Sequence, residues 1–226
     1  SALLCCLTNA FDSLSWLWVL PLGFLGSFLL LAGLWFVLIY CMAKAVNTEK
    51  EIETDSPFYR WVITVTVRAL LTILRIRVDS EGLAKLPKDG RFLLVCNHLH
   101  DTDPLILLNA FPKSQIAFIS KRENDAKFII GPFLRRILCQ PINRENDREA
   151  LKTILKCIQI IKEDKASIAV FPEGYIHKDK KLHHFRSGVF KIATKTKVPI
   201  VVCTITNTHK VLSNLKRLKP TDIELH

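Results

Sequence analysis

The first 43 residues contain no Lys or Arg and a single acid, Asp12. A solvated surface of that length carries charge of both signs, so this stretch is not an ordinary soluble exterior. From Ser13 to Ala43 run 31 consecutive uncharged residues, "SLSWLWVLPLGFLGSFLLLAGLWFVLIYCMA". About 20 apolar residues carry a helix across a bilayer core, so the run can span with tilt or with a kink at Pro21. Trp16, Trp18, Trp35 and Tyr40 lie toward its two ends, where amphipathic rings favour the headgroup region. A cleaved signal peptide fits poorly. "Ala43-Lys44-Ala45" mimics a small-x-small site, but no positive residue precedes the run and it is far longer than a signal core. A permanent anchor over residues 13–43 is therefore expected, with a re-entrant hairpin bent at Pro21 and Gly23 as the other geometry left open.

Other absences narrow the class further. The seven cysteines (5, 6, 41, 96, 139, 157 and 203) form no C-x-x-C pair and are odd in number. That excludes a disulfide frame or a zinc ribbon and fits free thiols in a reducing compartment. There is no internal repeat and no low-complexity segment. All 32 Lys and Arg lie in 44–226, where they face 20 of the 21 acids. So basic a domain seeks either nucleic acid or an anionic membrane. The basic residues are not interleaved with a recognition module, which argues against nucleic acid. The apolar leader selects the membrane, and the positive flank behind it places the main domain on the cytoplasmic face.

The chain of 226 residues is long enough for one sizeable domain. Residues 1–55 are expected to form the anchor and an acidic linker, "TEKEIETD", and residues 56–226 a catalytic domain that opens with an amphipathic helix over 56–74. Ser56 reads as its cap and Pro57 as its first position. Arg60, Thr64, Arg68 and Arg75 fall within an arc of about 80° at helical spacing. With an anchor just upstream, the helix is expected to lie in the membrane interface with its arginines at lipid phosphates; an ordinary core helix is the alternative. From residue 75 onward short β-rich runs ("RIRVDS", "RFLLVCN", "QIAFIS", "CQPI", "SIAVF", "VPIVVCTI") alternate with helical ones. The clearest of these, "DREALKTILKCIQIIKED", follows Asn146 or Asp147 as cap and repeats Leu151, Ile154, Leu155, Ile158 and Ile161 at helical spacing. Such alternation predicts an α/β fold with a mixed, largely parallel sheet flanked by helices. The chain begins with Ser and closes on "TDIELH", which itself reads as a strand, so further native residues are expected at one or both ends.

The chemistry concentrates in "VCNHLHDTDPLILL", residues 95–108. A strand ends at Asn97 and a helix is expected to start at Pro104 with Asp103 as cap. His98 then sits on a strand-to-helix turn, where α/β folds place reactive groups. Across a turn that folds back, the Asp103 carboxylate can orient the imidazole and leave its second nitrogen free as a base. A turn that merely caps a helix is the plain alternative. The zinc motif H-x-H-x-D-H is not matched, because the second acid and the final His are misplaced, so no metal is expected. Cys96 could pair with His98 as a nucleophile, but a buried strand thiol is the better reading.

Asn97-His98 to Asp103 resembles the N-H-x4-D signature of the glycerolipid acyltransferases, the 1-acylglycerol-3-phosphate acyltransferase family. Three further blocks follow in that family's order: Lys121 with "GPFLRRILCQPINR" ending at Arg144, "FPEG" (171–174) with "FRSG" (185–188), and "VPIVVCTI" (198–205). The resemblance covers residues 57–205. It implies His98 as general base, Asp103 as its orienting partner, and Asn97, Lys121, Arg144, Glu173, Gly174 and Arg186 at the substrate. It also implies an acyl thioester, acyl-CoA or acyl-carrier protein, as co-substrate rather than a cofactor, with lysophosphatidate as acceptor and anionic membrane lipid as neighbour. One departure stands out. The family's third block commonly reads E-G-T-R-S, whereas here it is Glu173-Gly174-Tyr175-Ile176-His177. Ile176 cannot bind phosphate, so Lys178, Lys180, Lys181 or Arg186 is expected to substitute.

Overall fold

A computed structural model describes residues 16–179 and 181–226. The chain forms two compact units, Ser1–Asn47 and Thr48–His226. In the first, helix α1 (Trp16–Ala45) runs uninterrupted through Pro21 and Gly23, so the described residues do not form a hairpin. Its most apolar 18 residues have a mean hydropathy of 2.4, and among the described residues it alone is long and apolar enough to cross a membrane. Cys5, Cys6, Asp12 and Lys180 lie outside the described residues.

The second unit carries a five-stranded parallel sheet. Its strands are β2 (Leu93–Cys96), β3 (Ile116–Lys121), β4 (Gln140–Ile142), β5 (Ser167–Val170) and β6 (Ile200–Cys203). The order across it is β4-β3-β5-β2-β6, so β5 inserts between the first two strands. β2 and β5 are fully buried and read as continuous apolar runs, as a strand covered on both faces must. β1 (Ile76–Ser80) lies outside this sheet. It pairs in parallel with β7 (Thr221–Leu225), and β7 is the "TDIELH" strand foreseen from sequence.

Helices cover both faces. On one, α2 (Pro57–Ile73) buries Tyr59, Val62, Val67 and Leu71. α3 (Asp103–Ala110) adds Ile106 and Leu107 to the same core. On the other, α6 (Asp147–Lys162) buries Ile154, Cys157, Ile160 and Ile161. There α7 (Lys191–Thr196) contributes Ile192 and Ala193. The short helices α4 (Arg122–Asp125) and α5 (Ile130–Arg136) bridge β3 to β4, and α8 (Val211–Lys216) leads into β7.

Three local expectations need correction. Asn146 caps α6 as foreseen, its side chain accepting from the Arg148 and Glu149 amides. Leu151 and Leu155, however, are 48% and 56% exposed, and the helix turns Cys157 and Ile160 inward in their place. Asp103 is not the cap of α3: Thr102 holds that position, and Asp103 enters the first turn with its carboxylate committed elsewhere. Arg60 does not face lipid. Its side chain is 12% exposed and pairs with Asp55 at 2.8 Å. It also donates to the Ile116 carbonyl at 2.9 Å. Arg68 and Arg75 are both exposed, and Arg75 donates to the Leu218 carbonyl. The outer face of α2 instead shows Phe58 and Trp61, stacked at 6.1 Å, and Ile73. The linker belongs to the second unit, because Ile52 packs on the core and Glu51 pairs with Lys156.

Candidate active site

Parallel pairing sends every site residue to the same edge, beyond the carboxyl ends of the strands. β2 delivers Asn97 and His98, β3 Lys121, β4 Arg144, and β5 the turn Phe171–Gly174.

The turn 97–102 wraps around a carboxylate. Asp103 is 0% exposed. Its Oδ2 accepts from His98 Nδ1 at 2.9 Å, Leu99 N at 2.7 Å and His100 N at 2.9 Å. Short Asp side chains bond backbone amides readily in this way, and here the bonds fold the turn back over the four residues between base and acid. An ionised carboxylate only accepts, so Nδ1 of His98 carries the proton and Nε2 is left as acceptor. The ring is held from a second side by Phe171, stacked at 4.1 Å. The backbone is held from a third: His98 N donates to Glu173 Oε1 at 3.0 Å. Three independent restraints fix one imidazole, the pre-organisation that proton transfer needs.

Asn97 and Glu173 shape this frame rather than point at a ligand. Asn97 donates to the Ile205 carbonyl at 3.0 Å and accepts from the Ile205 amide at 2.8 Å. Glu173, 5% exposed, takes His98 N on one oxygen and His183 N on the other. Cys96 is 1% exposed, and burial pushes its thiol far above the ordinary range. A thiol so held supplies little thiolate, so it is ill suited as a nucleophile. His100 is turned to its own loop, with Nδ1 3.0 Å from Thr102 Oγ1.

The cations Lys121 and Arg144 gather on the far side of β5 from β2, at the ends of β3 and β4. Lys121 and Arg144 line one cleft of about 420 Å³ together with Tyr175. Arg144 and Arg186 border a second cavity of about 300 Å³, walled by Ile119, Ile154, Phe171 and Val189. Burial lowers the Arg144 pKa below its ordinary value; the neighbouring Arg186 pushes the same way, while Tyr175 and Glu123 push back. Gly174 takes φ +81, which glycine alone adopts without strain, and a Cβ there would stand 3.0 Å from Arg186 Nε. Of the residues offered in place of an Arg at 176, Arg186 is the one against Arg144. Lys178 and Lys181 are exposed.

Sequence reasoning missed Phe171 as the platform under His98 and Tyr175 as the ring shared by two guanidiniums. The only signal for the second was the unusual aromatic in the third block.

Fold and site together define the class, an O-acyltransferase of α/β architecture. A family model described as Acyltransferase matches residues 77–206. The chain belongs to the acyltransferase family. It is similar to a probable 1-acyl-sn-glycerol-3-phosphate acyltransferase of Mycoplasma pneumoniae, 31% identical over 193 residues, or 83% of this chain and 71% of that protein. It is also similar to a chloroplastic 1-acyl-sn-glycerol-3-phosphate acyltransferase of Brassica napus, 33% identical over 60% of this chain but only 39% of the relative. Among solved structures it resembles the 1-acyl-sn-glycerophosphate acyltransferase PlsC of Thermotoga maritima. The TM-score is 0.60 at 25% identity, over 74% of this chain and 68% of that one.

Proposed function

We propose that the protein transfers a fatty acyl group from a thioester, acyl-CoA or acyl-carrier protein, to the sn-2 hydroxyl of 1-acylglycerol-3-phosphate, giving phosphatidate. The observation that carries the reading is the buried contact of 2.9 Å between His98 Nδ1 and Asp103 Oδ2. In this mechanism Nε2 of His98 takes the acceptor's proton as its oxygen bonds the thioester carbonyl carbon. The tetrahedral intermediate collapses, the C–S bond breaks, and the proton passes from the imidazolium to the leaving thiolate. Asp103 stabilises the cation while it exists. Base catalysis of this kind contributes about 10²- to 10⁴-fold. Lys121, Arg144 and Arg186 hold the acceptor phosphate, Arg as a fork and Lys as a point charge. Glu173 and Gly174 keep the β5 turn in shape around them. The relatives, named as acyltransferases of 1-acylglycerol-3-phosphate, support the same acceptor.

The reading includes an anchor through α1, with the catalytic unit at the cytoplasmic face and anionic lipid beside its basic surface. Carbonate or high salt should leave the protein in the membrane pellet, and detergent should release it; release by salt alone would overturn the anchor. A second reading, acylation of another lysolipid, is favoured by Ile176 at the position where an Arg is usual. Membranes carrying the full chain should be offered several lysolipids with each thioester in parallel, and thiol release measured. Lysophosphatidate should be the best acceptor. Faster turnover of a lysolipid without a terminal phosphate would overturn the acceptor assignment, and no transfer to any acceptor would overturn the activity.

A further inference from the structure

Two guanidiniums converge on one phenol. The Arg144 Cζ lies 4.9 Å from the Tyr175 ring centroid and the Arg186 Cζ 5.4 Å from it. Arg186 is tied down besides: its amide donates to the Pro172 carbonyl at 2.9 Å and its Nη1 to the Arg144 carbonyl at 3.2 Å. Among the described residues no carboxylate stands within ion-pair distance of either guanidinium. Two neighbouring cations repel, and one of these is half-buried; Glu123 acts on Arg144 only from beyond ion-pair distance, so something closer must hold the two together. The electron-rich face of an aromatic ring attracts a cation within about 6 Å of its centroid, and both guanidiniums meet that condition. Unlike a carboxylate, a ring face leaves the Arg144 fork and the remaining N–H groups of Arg186 open to an incoming anion.

We infer that Tyr175 is a positioning residue that organises Arg144 and Arg186 into a single receptor for a phosphate monoester. The inference rests on the acyl-transfer reading and names what replaces the guanidinium missing at position 176. A dianionic monoester matches two forks side by side, whereas a choline or ethanolamine head would set its own cation against them. The cleft shared by Lys121, Arg144 and Tyr175 gives the group an approach. The ring is 41% exposed, at the mouth of the site and not in its core. Two sources carry such a group, the acceptor phosphate of lysophosphatidate and the 3′-phosphate of acyl-CoA.

The test uses the full chain in membranes as wild type, Tyr175→Leu, Tyr175→Phe and Arg144→Ala. KM and kcat are measured for lysophosphatidate at saturating acyl-CoA, and KM for acyl-CoA is compared with that for acyl-dephospho-CoA. Tyr175→Leu should raise KM for lysophosphatidate roughly tenfold with kcat changed by less than about threefold, and Tyr175→Phe should restore KM to within about twofold. A rise in KM for acyl-CoA that acyl-dephospho-CoA does not share would support the receptor and assign the monoester to the donor. A fall in kcat alone, or a failure of Phe to restore KM, would overturn the inference, because a purely structural role behaves that way. So would an unmoved KM in Tyr175→Leu while Arg144→Ala raises it, although the phosphate reading would then stand. If Arg144→Ala is equally silent, the phosphate reading falls as well.

Discussion

Exchanging Asp103 for Asn removes one charge from the centre of the site and almost nothing else. The carboxylate is 0% exposed, and Oδ2 alone receives three donors. Oδ1 is buried and has no partner. An Asn can sit only one way round. With its carbonyl at the Oδ2 position it still accepts from His98, Leu99 and His100, whereas the reverse would set an amide against two backbone N–H groups. Its NH₂ then falls where Oδ1 was, and a buried unmet donor costs about 1–3 kcal/mol. That cost replaces the one the unmet Oδ1 already bears, so the net loss comes from the three bonds, worth about 1.5–3 kcal/mol to a charged group against about 0.5–1.5 to a neutral one. On the order of 2–5 kcal/mol should disappear, read as a lower unfolding temperature in detergent.

The catalytic cost is separate. A neutral amide holds the imidazole in place but does not stabilise the imidazolium that forms as the hydroxyl proton leaves. The expected loss is about 10²- to 10⁴-fold in kcat. KM for lysophosphatidate should move by less than about threefold, because the bound state keeps its phosphate contacts. Initial rates of thiol release over a range of lysophosphatidate concentrations, at saturating thioester and below the lowered unfolding temperature, measure both constants. If Asp103→Asn keeps more than about a tenth of kcat, the carboxylate charge is not used in the transition state. If the loss sits in KM instead, Asp103 shapes the acceptor site rather than powering the base.

The remaining predictions concern the thiols, the base and the helix behind the site. Cys96→Ala should keep substantial activity and His98→Ala nearly none; a ping-pong pattern, or an acyl group trapped on Cys96, would refute direct attack by the acceptor. Arg60→Ala strands Asp55, whose side chain is 9% exposed, and should cost about 3–5 kcal/mol of stability. Arg68→Ala on the exposed side should change stability by less than about 0.5 kcal/mol, and equal melting shifts in the two variants would refute the buried pair. Burial pushes the Cys139 thiol from 9.0 up to about 12. The folded state then holds that proton more tightly than the unfolded chain, so the contribution is complete below pH 9 and is lost as pH rises through about 12. The unfolding temperature should fall across that window and fall less in Cys139→Ala; identical slopes would refute the linkage.

What was legible in the sequence is what local pattern records. Each strand run lies where a strand forms, and Asn146 caps α6, because alternation and cap chemistry are written in neighbouring residues. His98 and Asp103 were legible because only five positions separate them. Apart from Asp103, which misses the cap of α3 by one position, the misreadings concern partners distant in sequence. Arg60 sits at a helical position that suits a lipid phosphate equally well; the Ile116 and Ile137 carbonyls that claim it are 56 and 77 residues away. Leu151 and Leu155 share a helical stripe with Ile154, and nothing in that spacing says that Cys157 and Ile160 face the sheet instead. The pairing of β1 with β7 joins Ile76 to Thr221, a register no local pattern encodes.

The sheet order adds a geometric constraint that bears on the phosphate site. β2, which carries His98, and β4, which leads to Arg144, are separated by β5 and β3. At about 4.8 Å per step their ends stand roughly 14 Å apart. In a glycerol phosphate the acceptor hydroxyl and the phosphorus are only a few bonds from one another, so strand ends alone cannot serve both. The turn after β5 closes the gap because it sits between them. Its Glu173 reaches sideways to the His98 amide. Its Gly174 makes room for Arg186, which bends toward the end of β4 and bonds the Arg144 carbonyl. Tyr175 then holds both guanidiniums at the near side of the cleft. The insertion of β5 beside β2 thus does more than complete the sheet: it supplies a loop that reaches both the His98 amide and the Arg144 carbonyl. A substitution at Glu173, which ties the loop to the His98 amide, should therefore disturb rate and acceptor affinity at once, whereas Tyr175→Leu and substitutions at the ends of β2 or β4 should separate them.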